Sequence, residues 1–311
     1  MPPPPTQRPP TMDPVAAERW AHLPAAMGSV VSPWLHEEVA RRMQERLQWI
    51  FKKPQRWLHW EPLRGGLSIH QVLAQRYPQA QCFVAQTPPG AAAIARRALT
   101  KSWWDLRQWR TKAVQFGPPN QPVHMLWANM FLHMETDPQA LLQHWHQLLE
   151  ADGFVMFSCL GPDTLRQLRS VYAALGWPAP AHEFTDMHDW GDMLVQAGFA
   201  EPVMDMERIT LTFSSAENLL AELRSLGRNL HPQRFGGLRG RRWHATLQQQ
   251  ITQRLADPEQ PGRLQLGFEI IYGHAFKPAA RIPVRAQTTV SLDDFREALR
   301  SQAPPNTQHV R

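Results

Sequence analysis

Apolar positions recur along this chain at two different periods, and the alternation between the two predicts its architecture. In WLHEEVARRMQERLQWIF (34–51), Leu35, Val39, Met43, Leu47 and Ile50 follow one another at three- and four-residue steps while the opposite face is charged. That spacing predicts an amphipathic helix docked on a core. Short apolar runs and helical patterns then alternate through RWLHW (56–60), SIHQVLAQRY (68–77), QCFVAQ (81–86), AAAIARRAL (91–99), KAVQF (112–116), VHMLWAN (123–129), PQALLQHWHQLLE (138–150) and FVMFSCL (154–160). In order these read strand, helix, strand, helix, strand, strand, helix, strand. Runs apolar along their whole length suit a parallel sheet covered by helices on both faces.

Further on, helical patterns at 162–175 and 187–197 precede PVMDMERITLTF (202–213), whose alternation predicts a longer strand exposed on one face. A helical stretch at 215–256, broken by HPQRFGGLRG, leads to GRLQLGFEIIYGHAF (262–276), which reads as the last strand. Two late strands with helices between them predict an antiparallel end on an open, mostly parallel α/β sheet of seven strands. The folded body is expected over 31–278, with a lid-like helical insertion at about 215–260. Residues 1–30, with seven prolines among the first 14 positions, are expected to form a disordered, polyproline-II-like tail. Residues 279–311 are expected to be a C-terminal tail holding one short helical pattern, DDFREALR.

Composition narrows the functional classes. With 43% hydrophobic and 19% charged residues in 311, the chain has ample material for a core, which excludes a wholly disordered protein. No run approaches the roughly 20 apolar residues of a membrane-spanning helix. The N-terminal segment lacks the apolar centre of a secretory signal, so no membrane partner and a cytoplasmic location are expected. The two cysteines, Cys82 and Cys159, each sit in an apolar strand-like run, which leaves neither a disulfide framework nor a cysteine zinc site. The 14 histidines include no His-Glu-x-x-His pair, and no metal is expected. Neither a Gly-x-Ser-x-Gly elbow nor a Gly-Lys-Ser/Thr phosphate loop occurs, so hydrolase and nucleotide triphosphatase readings lack their motifs.

The balance of 33 basic against 27 acidic residues, +6 overall, favours an acidic partner: nucleic acid, an acidic carrier protein or a phosphorylated ligand. LRGRRWHA (238–245) gathers Arg239, Arg241 and Arg242, either a solvated helix face or a docking surface for such a partner. In KSWWDLRQWR (101–110), Trp103, Leu106 and Trp109 step at helical intervals and are expected to cap a core rather than stack on nucleic acid.

In an open α/β sheet the ligand sits at the carboxyl ends of the strands, where the strand order reverses. The loop after the first strand reads HWEPLRGG (59–66), and Gly65 and Gly66, just before a helix, can turn backbone donors toward a ligand. The second strand ends in Gln86-Thr87-Pro88-Pro89, where an adenosine-binding protein places a carboxylate against the ribose hydroxyls. Asn129 and His133 follow the next long strand, near the mouth of the same crevice.

Four segments, QRYPQAQCFVAQ, MLWANMFLHMETDPQALLQHWHQLLEADGFVMFSCLGPDTLRQL, LLAELRSLGRNLH and GRLQLGFEIIYGHAF, together resemble the class I S-adenosylmethionine-dependent methyltransferases. Within that class the resemblance is to the malonyl-acyl-carrier-protein O-methyltransferases of biotin synthesis. It runs from about Glu38 to Pro278 and is strongest from Met125 to Asn229. The resemblance implies a Rossmann-like fold, S-adenosylmethionine as cofactor and a malonyl-loaded acyl carrier protein as partner. In that family the first strand ends in an aspartate followed by a glycine-rich loop; the matching positions here are His59, Trp60, Glu61, Pro62, Leu63, Arg64 and Gly65. The ribose-binding carboxylate falls on Gln86 and the acidic start of the fourth strand on His124.

The cofactor contacts implied are therefore His59, Glu61, Gly65, Gly66, Gln86 and Asn129, with Glu61 reaching toward the position vacated at residue 59 and Gln86 bonding one ribose hydroxyl. Each charge-assisted hydrogen bond lost from the family pattern costs about 1.5–3 kcal/mol if nothing replaces it. Leu63 stands where the backbone would approach the methionine moiety. Arg224 and Asn229, in the lid-like insertion, and His133 are the implied substrate contacts, and Arg239, Arg241 and Arg242 would face the carrier protein. No catalytic acid or base is assigned, because the malonyl carboxylate is already ionised and positioning supplies much of the rate. The first functional reading is thus methyl transfer to the free carboxyl of malonyl-acyl-carrier protein. The alternative is a catalytically inactive binding or regulatory protein on the same fold with a decayed cofactor site. Nucleic-acid methylation ranks last, since no Asn-Pro-Pro-aromatic motif occurs.

Overall fold

The computed structural model of the chain describes residues 11–22, 32–87, 89–100 and 112–279. Its strands are β1 (Arg56–Trp60), β2 (Gln81–Ala85), β3 (Gln115–Phe116), β4 (Val123–Ala128), β5 (Leu149–Leu160), β6 (Ala200–Phe213) and β7 (Leu264–Phe276). They form one seven-stranded sheet among the described residues, in the order β3-β2-β1-β4-β5-β7-β6. β1, β2, β3, β4 and β5 run parallel, and β7 joins β5 and β6 antiparallel. The order reverses between β1 and β4, so the crevice of this fold opens at their carboxyl ends.

β1, β2, β4 and the second half of β5 are largely apolar because both of their faces are covered. On one face Trp57, Met125, Trp127, Phe154 and Met156 pack with Leu35, Val39 and Met43 of α2 (Trp34–Arg46) and with Ile69 and Leu73 of α4 (Ser68–Arg76). On the other, Leu58, Phe83, Leu126, Val155 and Phe157 meet Leu142 and Trp145 of α6 (Pro138–Leu148) and Trp190 and Leu194 of α8 (Met187–Gln196). The remaining helices are α1 (Pro14–His22), α3 (Pro62–Gly65), α5 (Pro89–Leu99), α7 (Arg166–Ala174), α9 (Ala216–Leu226) and α10 (Arg241–Arg254). The break expected inside 215–256 separates α9 from α10. β5 starts earlier than the apolar run alone suggests, since Val123 pairs with Leu149 and Met125 with Phe154, the ladder being interrupted by a bulge.

One expectation is corrected. Within the tail expected over residues 1–30, Pro14–His22 are helical. The Asp13 carboxylate accepts from Val15 N (2.9 Å) and Ala16 N (3.2 Å), satisfying donors at the start of the helix, and Pro14 occupies the first helical position, where its fixed φ is favourable. Tertiary contacts then hold it: Asp13 N donates to Leu230 O (2.8 Å), and Arg234 pairs with Asp13 at 2.7 Å. At its other end Arg64 donates to Trp20 O (2.8 Å), with the guanidinium 3.6 Å from the centre of the Trp20 ring. Proline density is a local signal and none of these partners is local. KSWWDLRQWR, residues 1–10 and 23–30 of the N-terminal tail, and residues 280–311 with DDFREALR lie outside the described residues. Among the described residues no helix is long and apolar enough to cross a membrane, and no group of three or more His, Cys, Asp or Glu is placed to hold a metal ion.

Candidate active site

The loop that leaves β1 makes its first turn at Glu61, whose φ of 48° is left-handed. A residue with a side chain pays for that conformation by about 1 kcal/mol or more. The turn aims the Glu61 side chain at the end of β2. There its carboxylate, 3% exposed, accepts from Thr87 N (2.7 Å), from Thr87 Oγ1 (2.6 Å) and, at a short distance, from Gln86 Nε2. The other end of the same amide, Gln86 Oε1, accepts from Leu63 N (3.1 Å). Burial pushes the Glu61 pKa up to about 6, against the lowering pull of the Thr87 hydrogen bonds.

Two of the implied cofactor contacts are turned inward. His59 is fully buried, its Nδ1 lies 3.1 Å from His70 Nδ1, and the two rings stack with centroids 5.4 Å apart. Burial holds His59 well below the usual histidine range, so it is a neutral core group and offers no carboxylate-like acceptor to a ligand. Asn129 is also fully buried: its amide donates to His36 O (2.8 Å) and, at short distance, to Gly65 O, while its Oδ1 accepts from Ser158 Oγ (2.7 Å). Its hydrogen-bonding groups are committed to tying α2, the β1 loop and β5 together. His59 was implied by its match to the family's strand-end aspartate and Asn129 by its place after β4; here both side chains are buried against helix residues, His70 of α4 and His36 of α2.

α2 holds the rest of the loop. His36 Nδ1 lies 2.6 Å from Arg64 O, and Glu37 Oε1 accepts from Leu67 N (2.8 Å) and Ser68 N (3.1 Å) at the start of α4. Gly65 is required, since a Cβ there would stand 2.7 Å from Asn129 O, and Gly66 takes a φ of 124°. Sequence reasoning did not find His36, Glu37 or Thr87. The charged face of α2 was the available signal for the first two.

An adenosine ribose is held in this fold by an acceptor carboxylate at the end of the second strand. Here the end of β2 presents an amide engaged at both ends and hydroxyl and N–H donors already satisfied by Glu61. As arranged, these residues do not fit a ribose diol.

The acceptor side is different. Beside the lid helices lies a cavity of about 300 Å³ whose lining includes His133, Phe184, Leu220, Arg224, Asn229 and Trp243. The three implied substrate residues thus meet at one cavity although they stand far apart in sequence. Arg224, exposed, lies on α9. Asn229 supports the wall, donating to Ala179 O (2.7 Å) and accepting from His231 N (2.9 Å). His133 is buried edge-on against Phe184, and burial keeps it well below the usual histidine range. The aromatic residues Tyr172 and Trp243 of the cavity, with Trp177 packed behind them, were missed, although Trp243 adjoins the arginine run.

The arginine run itself divides. Arg239 lies 4.3 Å from the ring centres of both Phe235 and Trp243, held by cation–π contact. Arg241 and Arg242 are exposed in the first turn of α10, where the helix dipole disfavours cations. Leu238, beside them, is fully exposed.

Named proteins are similar to this chain over most of its length. Over 274 residues the chain is 36% identical to the malonyl-[acyl-carrier protein] O-methyltransferase of Gallionella capsiferriformans, covering 86% of this chain and 92% of that protein. It is 36% identical to the same-named protein of Laribacter hongkongensis (85% and 88% covered) and 33% identical to that of Nitrosospira multiformis (82% and 86%). Among solved structures, a putative methyltransferase from Bacillus halodurans superposes with a TM-score of 0.51 at 15% identity, covering 78% of this chain and 100% of that one, which shows the shared fold. No family model matches the chain. With its seven-stranded Rossmann-like sheet and relatives at this identity over most of both lengths, the chain belongs to the malonyl-[acyl-carrier protein] O-methyltransferase family.

Proposed function

We propose that the chain methylates the free carboxyl of malonyl-acyl-carrier protein in biotin synthesis, with S-adenosylmethionine as donor, as the names of its relatives suggest. The observation that carries this reading is the cavity shared by His133, Arg224 and Asn229. A malonyl thioester has an apolar and amide-bearing arm and an anionic end. The aromatic and leucine lining suits the arm, and Arg224 supplies the cation for the carboxylate. That carboxylate is ionised at neutral pH, so the chain's task is to orient it and keep water away; no general base is required. Arg241 and Arg242, exposed at an electrostatically unfavourable helix start, suit an acidic carrier protein, with Leu238 as an apolar contact. The two buried free cysteines suit a reducing compartment such as the cytoplasm.

The test is methyl transfer from methyl-labelled S-adenosylmethionine to malonyl-loaded carrier protein, read as base-labile label on the carrier. Label that requires the malonyl group and falls with Arg224→Ala supports the reading. An unlabelled carrier that also fails to bind the protein in a sedimentation assay rejects it.

A further inference from the structure

The side chains at the carboxyl ends of β1 and β2 form a closed set. Glu61 brings the charge; Thr87 N, Thr87 Oγ1 and Gln86 Nε2 bring the donors; Leu63 N occupies the remaining end of the Gln86 amide. Parallel pairing of Trp60 with Ala85 puts the two strand ends side by side, and Glu61 N donates to Ala85 O (2.8 Å), so the contact is built into the sheet register. Leu63 cannot withdraw easily, because its side chain is buried with Ala91 and Ala95 of α5.

We infer that the Glu61 carboxylate is an internal ligand of the donor crevice, occupying the polar groups that a nucleoside ribose would meet, so that S-adenosylmethionine binds only by displacing it. The donor set at β2 is complementary to an anion, and a ribose diol arriving there must compete with one that is covalently attached and already satisfied. The retained left-handed turn at Glu61 marks its cost: the backbone stays in a conformation glycine would adopt freely, and the hydrogen bonds of the carboxylate hold it there. The donor's identity rests on the proposed function; the contact itself does not.

The experiment is calorimetric titration of the purified full chain with S-adenosylhomocysteine, which reads binding without catalysis or carrier protein. Glu61→Gly removes the carboxylate and suits the φ of the turn; Glu61→Asn tolerates the same φ and is too short to reach Thr87, and serves if the glycine variant does not fold. The expected result is weak binding by the unaltered chain and affinity about tenfold or more higher in either variant. Low-micromolar binding by the unaltered chain, or no gain in a folded variant, overturns the inference. Methylation of malonyl-acyl-carrier protein at low-micromolar donor would likewise overturn it while leaving the proposed activity standing. A variant that gains donor affinity in a chain that never binds the carrier keeps the inference and rejects the proposed acceptor.

Discussion

Gly65 and Asn129 are in backbone contact across the mouth of the sheet: the Asn129 amide donates to Gly65 O, and a Cβ on Gly65 would stand 2.7 Å from Asn129 O. The obstacle is main chain on both sides, so it cannot move aside as a flexible side chain would. Gly65→Ala is therefore expected to cost about 1–3 kcal/mol of stability, seen as a lower urea midpoint with unchanged slope.

Asn129 also connects three elements from a fully buried position. Asn129→Ala would strand His36 O, Gly65 O and the Ser158 hydroxyl, at about 2 kcal/mol or more. Asn129→Asp is expected to be worse, because it sets an anion against two carbonyl oxygens. Urea unfolding of the two variants beside the parent gives the ranking; an equal or smaller loss in the aspartate variant would contradict it.

Acid should unfold this protein through its buried histidines. Burial pushes His36, His70 and His182 down to about 4 from an ordinary 6.5. Between pH 6.5 and 4 the unfolded chain then binds more protons than the folded one. The stability these groups contribute is complete above pH 6.5 and is lost as pH falls toward 4, up to about 3 kcal/mol each. Unfolding midpoints measured at pH 7.5, 6 and 5 should fall in that order, and His70→Gln should flatten the decline.

At the arginine run, stability and binding are expected to move in opposite directions. Replacing Arg241 and Arg242 by glutamate puts favourable charge at the start of α10, worth about 0.3–1 kcal/mol each in stability. The same change should weaken association with malonyl-acyl-carrier protein and remove most of its salt dependence. A melting curve and binding measured at two ionic strengths check both halves.

Arg224→Ala is expected to raise KM for malonyl-acyl-carrier protein about tenfold while leaving the melting temperature nearly unchanged, since the residue is exposed. Arg224→Lys should recover part of the loss.

The periodicity of the chain carries most of its architecture. Trp57, Leu58, Phe83, Leu126 and Trp127 are apolar on both faces of their strands because both faces are buried, and that is visible without coordinates. The switch to alternation at 202–213 likewise announces an edge strand, as β6 is. The resemblance located the loop after β1, the end of β2 and the lid insertion. What these residues do there was not legible. Whether His59 faces a ligand or His70, and whether Asn129 faces the crevice or the core, depends on which helix covers the strand end. The bond from Glu61 to Gln86 and Thr87 requires both the left-handed turn at residue 61 and the register that sets Trp60 beside Ala85. α1 depends on Arg64, Leu230 and Arg234, partners supplied by distant parts of the chain. Local period determines which segments become strands and helices, because each side chain's burial repeats with its own backbone; the direction of a polar group at a strand end is decided only by the neighbours that folding brings to it.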